Sequence, residues 1–293
     1  QGDLVAGNQR EVGVIYKDGA LTSGLTIDGS ITDATRYLEL TVAAGQRHNG
    51  TAGTGATLDG QDTSGQNVII LDNYTHLEWL ELKRHRGTAA TAAVSVRAAN
   101  VLLNHLLVYD YDDPTFNVRG ITLSGAGGNS FIVRNSIIFD GDGSGVQGDE
   151  LTDTGIIENV TVYGMVGDGI FDESSTLTVI NSISMGNGGQ DFRLTASSLS
   201  YSLSEDATAS CGTCLNGRVP ANQFVSLTAG SENFHLKAGA DAIDAATTLA
   251  GFSDDIDGDS RPQQVAWDMG ADEYIPATTP TPTSSPTPTP TNT

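Results

Sequence analysis

Between residues 76 and 207 the polar and apolar positions repeat one figure. A short β-branched or leucine run meets an amide, a second short apolar run follows, and glycine and aspartate close the phrase. Four segments carry it most clearly: "VLLNHLLVYD" (101–110), "IVRNSIIFDG" (132–141), "IIENVTVYGM" (156–165) and "TVINSISMGN" (178–187). Their asparagines, Asn104, Asn135, Asn159 and Asn181, stand 31, 24 and 22 residues apart. "HLEWLELKRH" (76–85) and "SLSYSLSEDA" (198–207) extend the series more weakly. No long stretch places apolar residues at helical spacing, so the runs read as strands. A repeat near this period predicts a solenoid of three short strands per turn, each pairing with its equivalent ~4.8 Å above and below.

Stacked turns bring like residues into columns. An inward asparagine at a corner can bond corner backbone and its neighbours in the column, which makes Asn104, Asn135, Asn159 and Asn181 the expected structural ladder. Glycine-aspartate corners supply the backbone angles that bulkier residues resist. The expected fold class is all-β, a right-handed parallel β-helix with capped ends.

Composition agrees: glycine numbers 35 in 293 residues and aromatics make up only 6%. Lys+Arg 14 against Asp+Glu 36 leaves a charge of −22, which argues against nucleic acid, anionic lipid and polyanionic glycans and favours divalent cations. No apolar run is long enough to insert in a membrane. A start at Gln1 without a basic leader suits a processed, secreted chain or an artificially chosen start, and the expected setting is an extracellular surface. The two cysteines form "CGTC"; a local Cys211–Cys214 disulfide is expected, with reduced structural cysteines as the alternative.

Three parts are expected: an N-terminal cap over residues 1–30, the coil with its closing segment over 31–275, and a tail over 276–293. The tail, "PATTPTPTSSPTPTPTNT", holds six of the nine prolines and reads as an extended linker or stalk, with O-glycosylation or contact with a neighbouring subunit left open.

With the repeat in place, residues 25–275 resemble the pectate-lyase-like β-helix superfamily. "TDATRYLELTVAAGQRHNGTAGTGATLDG" (32–60) is similar to the first coil of secreted β-helix proteins. "FHLKAGADAID" (234–244) followed by "DDIDGDSRPQQVAWDMGADEY" (254–274) resembles the closing motif of bacterial surface β-helix domains. That resemblance implies the fold and an extracellular setting. It names no chemistry, because members include lyases, hydrolases and adhesins.

Candidate chemistry is sparse. Within "LKRHRG" (82–87), Lys83 could act as a lyase base and Arg86 as the neutraliser of a uronate carboxylate, with calcium at Asp110, Asp112 or Asp140. Asp110, Asp140 and Asp168 could instead serve a hydrolase. Asp255, Asp257 and Asp259 alternate around Gly258 in the manner of a calcium loop, without the closing glutamate of an EF-hand. Lys83, Tyr109, Phe139, Tyr163 and Met185 fall four or five residues beyond the corner position and form either a sugar platform or a packing column. The five histidines show no paired metal spacing. The leading expectation is an extracellular structural or adhesive subunit that self-associates end to end or through its tail. A polysaccharide lyase, a glycoside hydrolase and a non-catalytic glycan-binding module are the alternatives. No cofactor is required, and calcium is the ion the acidic corners suit.

Overall fold

The computed structural model describes residues 2–64, 67–87, 91–113, 117–124, 130–149, 154–173, 176–195 and 197–276. The expected tail therefore lies outside the described residues, apart from Pro276. The chain winds as a parallel β-helix with three sheets.

The first sheet stacks Glu11–Ile15, Leu38–Val42, Thr75–Glu78, Val101–Asn104, the leading halves of Ser130–Gly141 and Thr154–Met165, Thr176–Ile180 and Ser198–Ser200. Across a tight corner, the second stacks Thr57–Ser64, Glu81–Arg86, Leu107–Tyr111, the trailing halves of the same two long strands, Ile183–Met185 and Leu203–Ser204. The third is a separate seven-stranded stack from Leu25–Ile27 to Phe192–Arg193. Pairing within all three is parallel; among the described residues Phe224–Ser226 with Asn233–Leu236 is the antiparallel strand pair, and Asp254 and Ser260 form an isolated antiparallel bridge.

Inward residues line up as columns. Leu77, Leu103, Val133, Ile157 and Val179 stack in register from the first sheet. Leu58, Leu82, Val108, Ile138 and Val162 answer from the second, and Val68, Val94, Ile121, Val146 and Ile170 from the third. All are fully buried, each contributing roughly 1.5–3 kcal/mol of transfer free energy.

The corner between the first two sheets is a column of left-handed residues: Trp79, His105, Asn135, Asn159, Asn181 and Tyr201, with φ between 43° and 65°. Asn104 is not among them. It pairs with Glu78 and Arg134 one position earlier, and His105 occupies the corner. The expected ladder is corrected on this point: three asparagines continue it, while Trp79 and His105 stack ring on ring at 3.8 Å. Asparagine tolerates the left-handed region best among non-glycine residues. A second left-handed column, Arg84, Asp110, Asp140, Gly164 and Gly186, bends the far end of the second sheet.

The ends differ. Residues 205–218 fold over the last coil, where Leu215 bridges Leu203 and the Cys211–Cys214 disulfide closes the loop. At the other end, Glu11–Ile15 and Leu25–Ile27 are already strands of the winding, so the stretch expected as a cap contains a first coil.

The closing segment, residues 219–276, runs back along the side of the helix as a strap over the second sheet and the asparagine corner. Phe234 packs on Phe139 and Tyr163. Asn159 Nδ2 donates to the carbonyls of Asp268 and Gly270, and Asn181 Nδ2 to those of Thr247 and Asn159's side chain. The amide ladder thus serves as the seat of the strap.

Candidate functional site

Lys83, Arg84 and Arg86 of the 82–87 stretch each meet carboxylates. Arg84 grips Asp59 with two nitrogens, at 2.8 and 2.5 Å, and approaches Asp62. Arg86 reaches Asp62 at 2.5 Å, Asp112 at 2.7 Å and Asp110 at 3.5 Å. Lys83 Nζ lies 4.0 Å from Asp59. These contacts link successive coils across the left-handed column of Arg84 and Asp110. Lys83 and Arg86 thus share no carboxylate: Lys83 approaches Asp59, whereas Arg86 pairs with Asp62, Asp110 and Asp112.

The hydrolase trio does not assemble. Asp110 and Asp140 are neighbours in one column, and burial followed by mutual charge raises the carboxyl of Asp140 above its ordinary value. Asp168 belongs to the corner between the second and third sheets, where it accepts from the Gln190 backbone at 2.8 Å and pairs with Arg193 at 3.2 Å.

The aromatic column is in register from Lys83 through Tyr109, Phe139 and Tyr163 to Met185. Tyr109 and Phe139 stack at 5.1 Å, and Phe224 and Phe234 of the strap cover Phe139 and Tyr163. The column is a docking surface for the chain's own closing segment.

Within the strap, Asp255 is fully buried and its carboxylate accepts from the backbone of Asp257, Asp259 and Glu273. It holds the turn, so the expected Asp255–Asp257–Asp259 calcium set is redrawn: Asp257 turns instead to His235, at 2.8 Å, and to Asp272. Burial pushes the carboxyls of Asp255, Asp268 and Asp272 up to about 6, 7 and 7. Burial would lower His235, but the hydrogen bond and charge of Asp257 outweigh it and raise the imidazole to about 9. Arg261, wholly buried, binds Glu273 at 2.9 Å and the carbonyls of Gly270 and Ala271 at 3.1 and 2.7 Å. The arginine and glutamate of the sequence motif are thus an internal knot. His235 was missed because its partners are 22 and 37 residues away in sequence, beyond any local spacing rule.

The outer side of the first sheet remains uncovered over much of its length. A groove of about 500 Å³ runs across it, with a floor of Leu102, Ile132 and Ile156 and a rim of Ser130, Thr154 and Thr176. Leu102, Ile132, Ile156 and Thr178 are successive members of one outward column that runs on through His76 and Glu39 to Val12. Ile156 is 39% exposed. Arg134 stands at the groove's side, bonded to Asn104 Oδ1 at 3.3 Å, 3.9 Å from Glu158 and over the ring of Phe252. At the N-terminal end His76 stacks on Tyr37 at 4.3 Å; burial and then the charges of Arg134 and Arg10 lower its pKa to about 4, so it is neutral at pH 7. Sequence reading missed this groove because outward aliphatics between inward ones look like uninterrupted core.

No protein-family model matches this chain, and no curated protein matches it. Among solved structures it is similar to one described as the crystal structure of pectate lyase Pel9A, with 16% identity, a TM-score of 0.48, and coverage of 90% of this chain and 86% of that one. No helix is long and apolar enough to cross a membrane among the described residues.

Proposed function

We propose that the chain is an extracellular, non-catalytic β-helix, a structural or adhesive unit that holds an extended, neutral glycan along the outer face of its first sheet. The groove carries this reading. Its column Leu102, Ile132, Ile156 and Thr178 crosses four coils in register, about 15 Å at ~4.8 Å per step, and presents aliphatic surface flanked by hydroxyls and an amide. Such a lining suits uncharged sugar faces, and a net charge of −22 disfavours polyuronates. The Cys211–Cys214 disulfide fits an oxidising compartment.

Self-association has its support at the N-terminal end. Among the described residues Glu11–Ile15 pairs on one side only, and Val12 and Val14 are 40% and 45% exposed. Such an edge is a template for another strand.

A panel of neutral and acidic polysaccharides tests the reading. Saturable binding of a neutral chain, weakened at least tenfold by Ile132→Asp and unchanged by Lys83→Ala, supports it. Release of unsaturated, ultraviolet-absorbing ends, lost in Lys83→Ala, would replace it with a lyase.

A further inference from the structure

Three side chains from separate turns of the strap converge beside the first coils. His235 lies on Asn233–Leu236, Asp257 in the 254–259 turn and Asp272 near the end of the strap. One ring nitrogen and one oxygen from each carboxylate lie within 4.8 Å of one another. The histidine is oriented from behind. Asn233 Oδ1 accepts the His235 backbone N–H at 3.0 Å, which identifies it as the amide oxygen, and sits 2.5 Å from ring Nδ1. With the Nδ1 proton directed there, the neutral ring turns the Nε2 lone pair toward Asp257 Oδ2 at 2.8 Å.

Two acceptors face each other at that distance, so the pair requires a positive species: a proton on Nε2 or a metal ion. The other oxygen of Asp257, Oδ1, is buried and has no hydrogen-bond partner. The coil makes room at the same point. Gly50 has φ 72°, and a Cβ there would come within 2.5 Å of Asp257 Oδ1 and 2.8 Å of His235 Nε2. A cavity of about 200 Å³, lined also by Asp259, Glu273 and Tyr274, opens onto the cluster and leaves room for water ligands.

We propose that His235, Asp257 and Asp272 bind one divalent transition-metal ion, of zinc type, that fastens the strap against the coil at Gly50. One imidazole with two carboxylates suits zinc, and hard all-oxygen ligation, as calcium prefers, is not what these side chains offer. The ion would join three turns that the sequence keeps apart. Its competitor is the proton: an ion must displace whatever proton bridges His235 Nε2 and Asp257 Oδ2 across their 2.8 Å contact.

The test is calorimetric titration of the full chain, stripped with chelator, by Zn²⁺ in excess Mg²⁺ to occupy surface carboxylates, in two buffers of different ionisation enthalpy. The expected result is one ion per chain, buffer-dependent proton release, and a Tm rise of about 5 °C at a hundredfold excess over Kd. Asp272→Asn and His235→Asn should weaken binding at least tenfold, while Asp18→Asn, an exposed acid elsewhere, leaves it unchanged. Should either site variant fail to fold, zinc-edge X-ray absorption of the wild-type chain must show mixed nitrogen and oxygen ligation including one imidazole. Absence of saturable binding, indifference to Asp272→Asn in a folded variant, or an all-oxygen spectrum would overturn the proposal and leave an imidazolium–carboxylate pair.

Discussion

The outer surfaces of the first and second sheets come from the same coils and often from the same strands, yet the second is strapped and much of the first is left open. Outward positions of the second sheet include Tyr109, Phe139 and Tyr163, and the strap brings Phe224 and Phe234 onto two of them. Outward positions of the first sheet include Leu102, Ile132 and Ile156 between hydroxyl-bearing neighbours, and they line a groove. Apolar residues on both sides of a strand thus have two meanings. Broad rings call in the chain's own closing segment, whereas aliphatics bordered by threonine leave a surface for something else.

Breaking the strap should separate the two faces. Arg261→Ala is expected to cost most, about 3–5 kcal/mol, since it strands the buried Glu273 carboxylate and several carbonyls. A lower chemical-denaturation midpoint, with hydrogen exchange accelerated first in residues 219–276, would register it. Phe234→Ala should cost about 3 kcal/mol by emptying the space between Phe139 and Tyr163. The glycan binding proposed for the first sheet should persist in this variant.

Asn159→Ala should cost about 2 kcal/mol, because it removes two donor bonds to the strap and forces alanine to φ 52°. Asn159→Gly, relieved of the backbone strain, should fall between that variant and the wild type in thermal melts.

Acidity sharpens the comparison. Asp255, Asp268, Asp272 and His235 all have folded pKa values raised above their unfolded ones, so the folded strap binds more protons than the unfolded chain. Their contribution is complete below about pH 4 for the carboxyls and about pH 6.5 for the histidine. It fades as pH rises through about 6 to 7 and then about 9. Metal-free protein should show a Tm that declines from mildly acidic to alkaline pH, steepest for strap-localised probes; a flat or rising profile would contradict the assignment. The smallest effect belongs to the bare face. Ile156→Ser should change stability by less than about 0.5 kcal/mol while weakening glycan binding.

The winding was legible because its cause is local: each coil repeats the alternation and the amide corner. Asn104 misled because matching amide to amide overrode the better register of Tyr109–Asp110 with Phe139–Asp140, which puts His105 in the corner. Trp79 and Tyr201 already signalled that this corner accepts rings. The chemistry of the basic stretch was only half legible, since Lys83 and Arg86 are named by sequence but neutralised by Asp59, Asp62 and Asp112 from neighbouring coils. The strap was the least legible part. Its partners lie up to 119 residues away, as from Asn135 to Asp254, and nothing in a local pattern states which surface a closing segment will cover.

A stack whose members touch only their neighbours ordinarily frays from its ends, one turn at a time. A strand of chain that leaves the last turn and returns past the asparagine corner to Trp79 and Gly50 abolishes that independence, because losing any turn beneath it loosens contacts to turns far from the break. The return path makes a sequential array melt as a single unit, and a chain cut after residue 218 should instead unravel gradually.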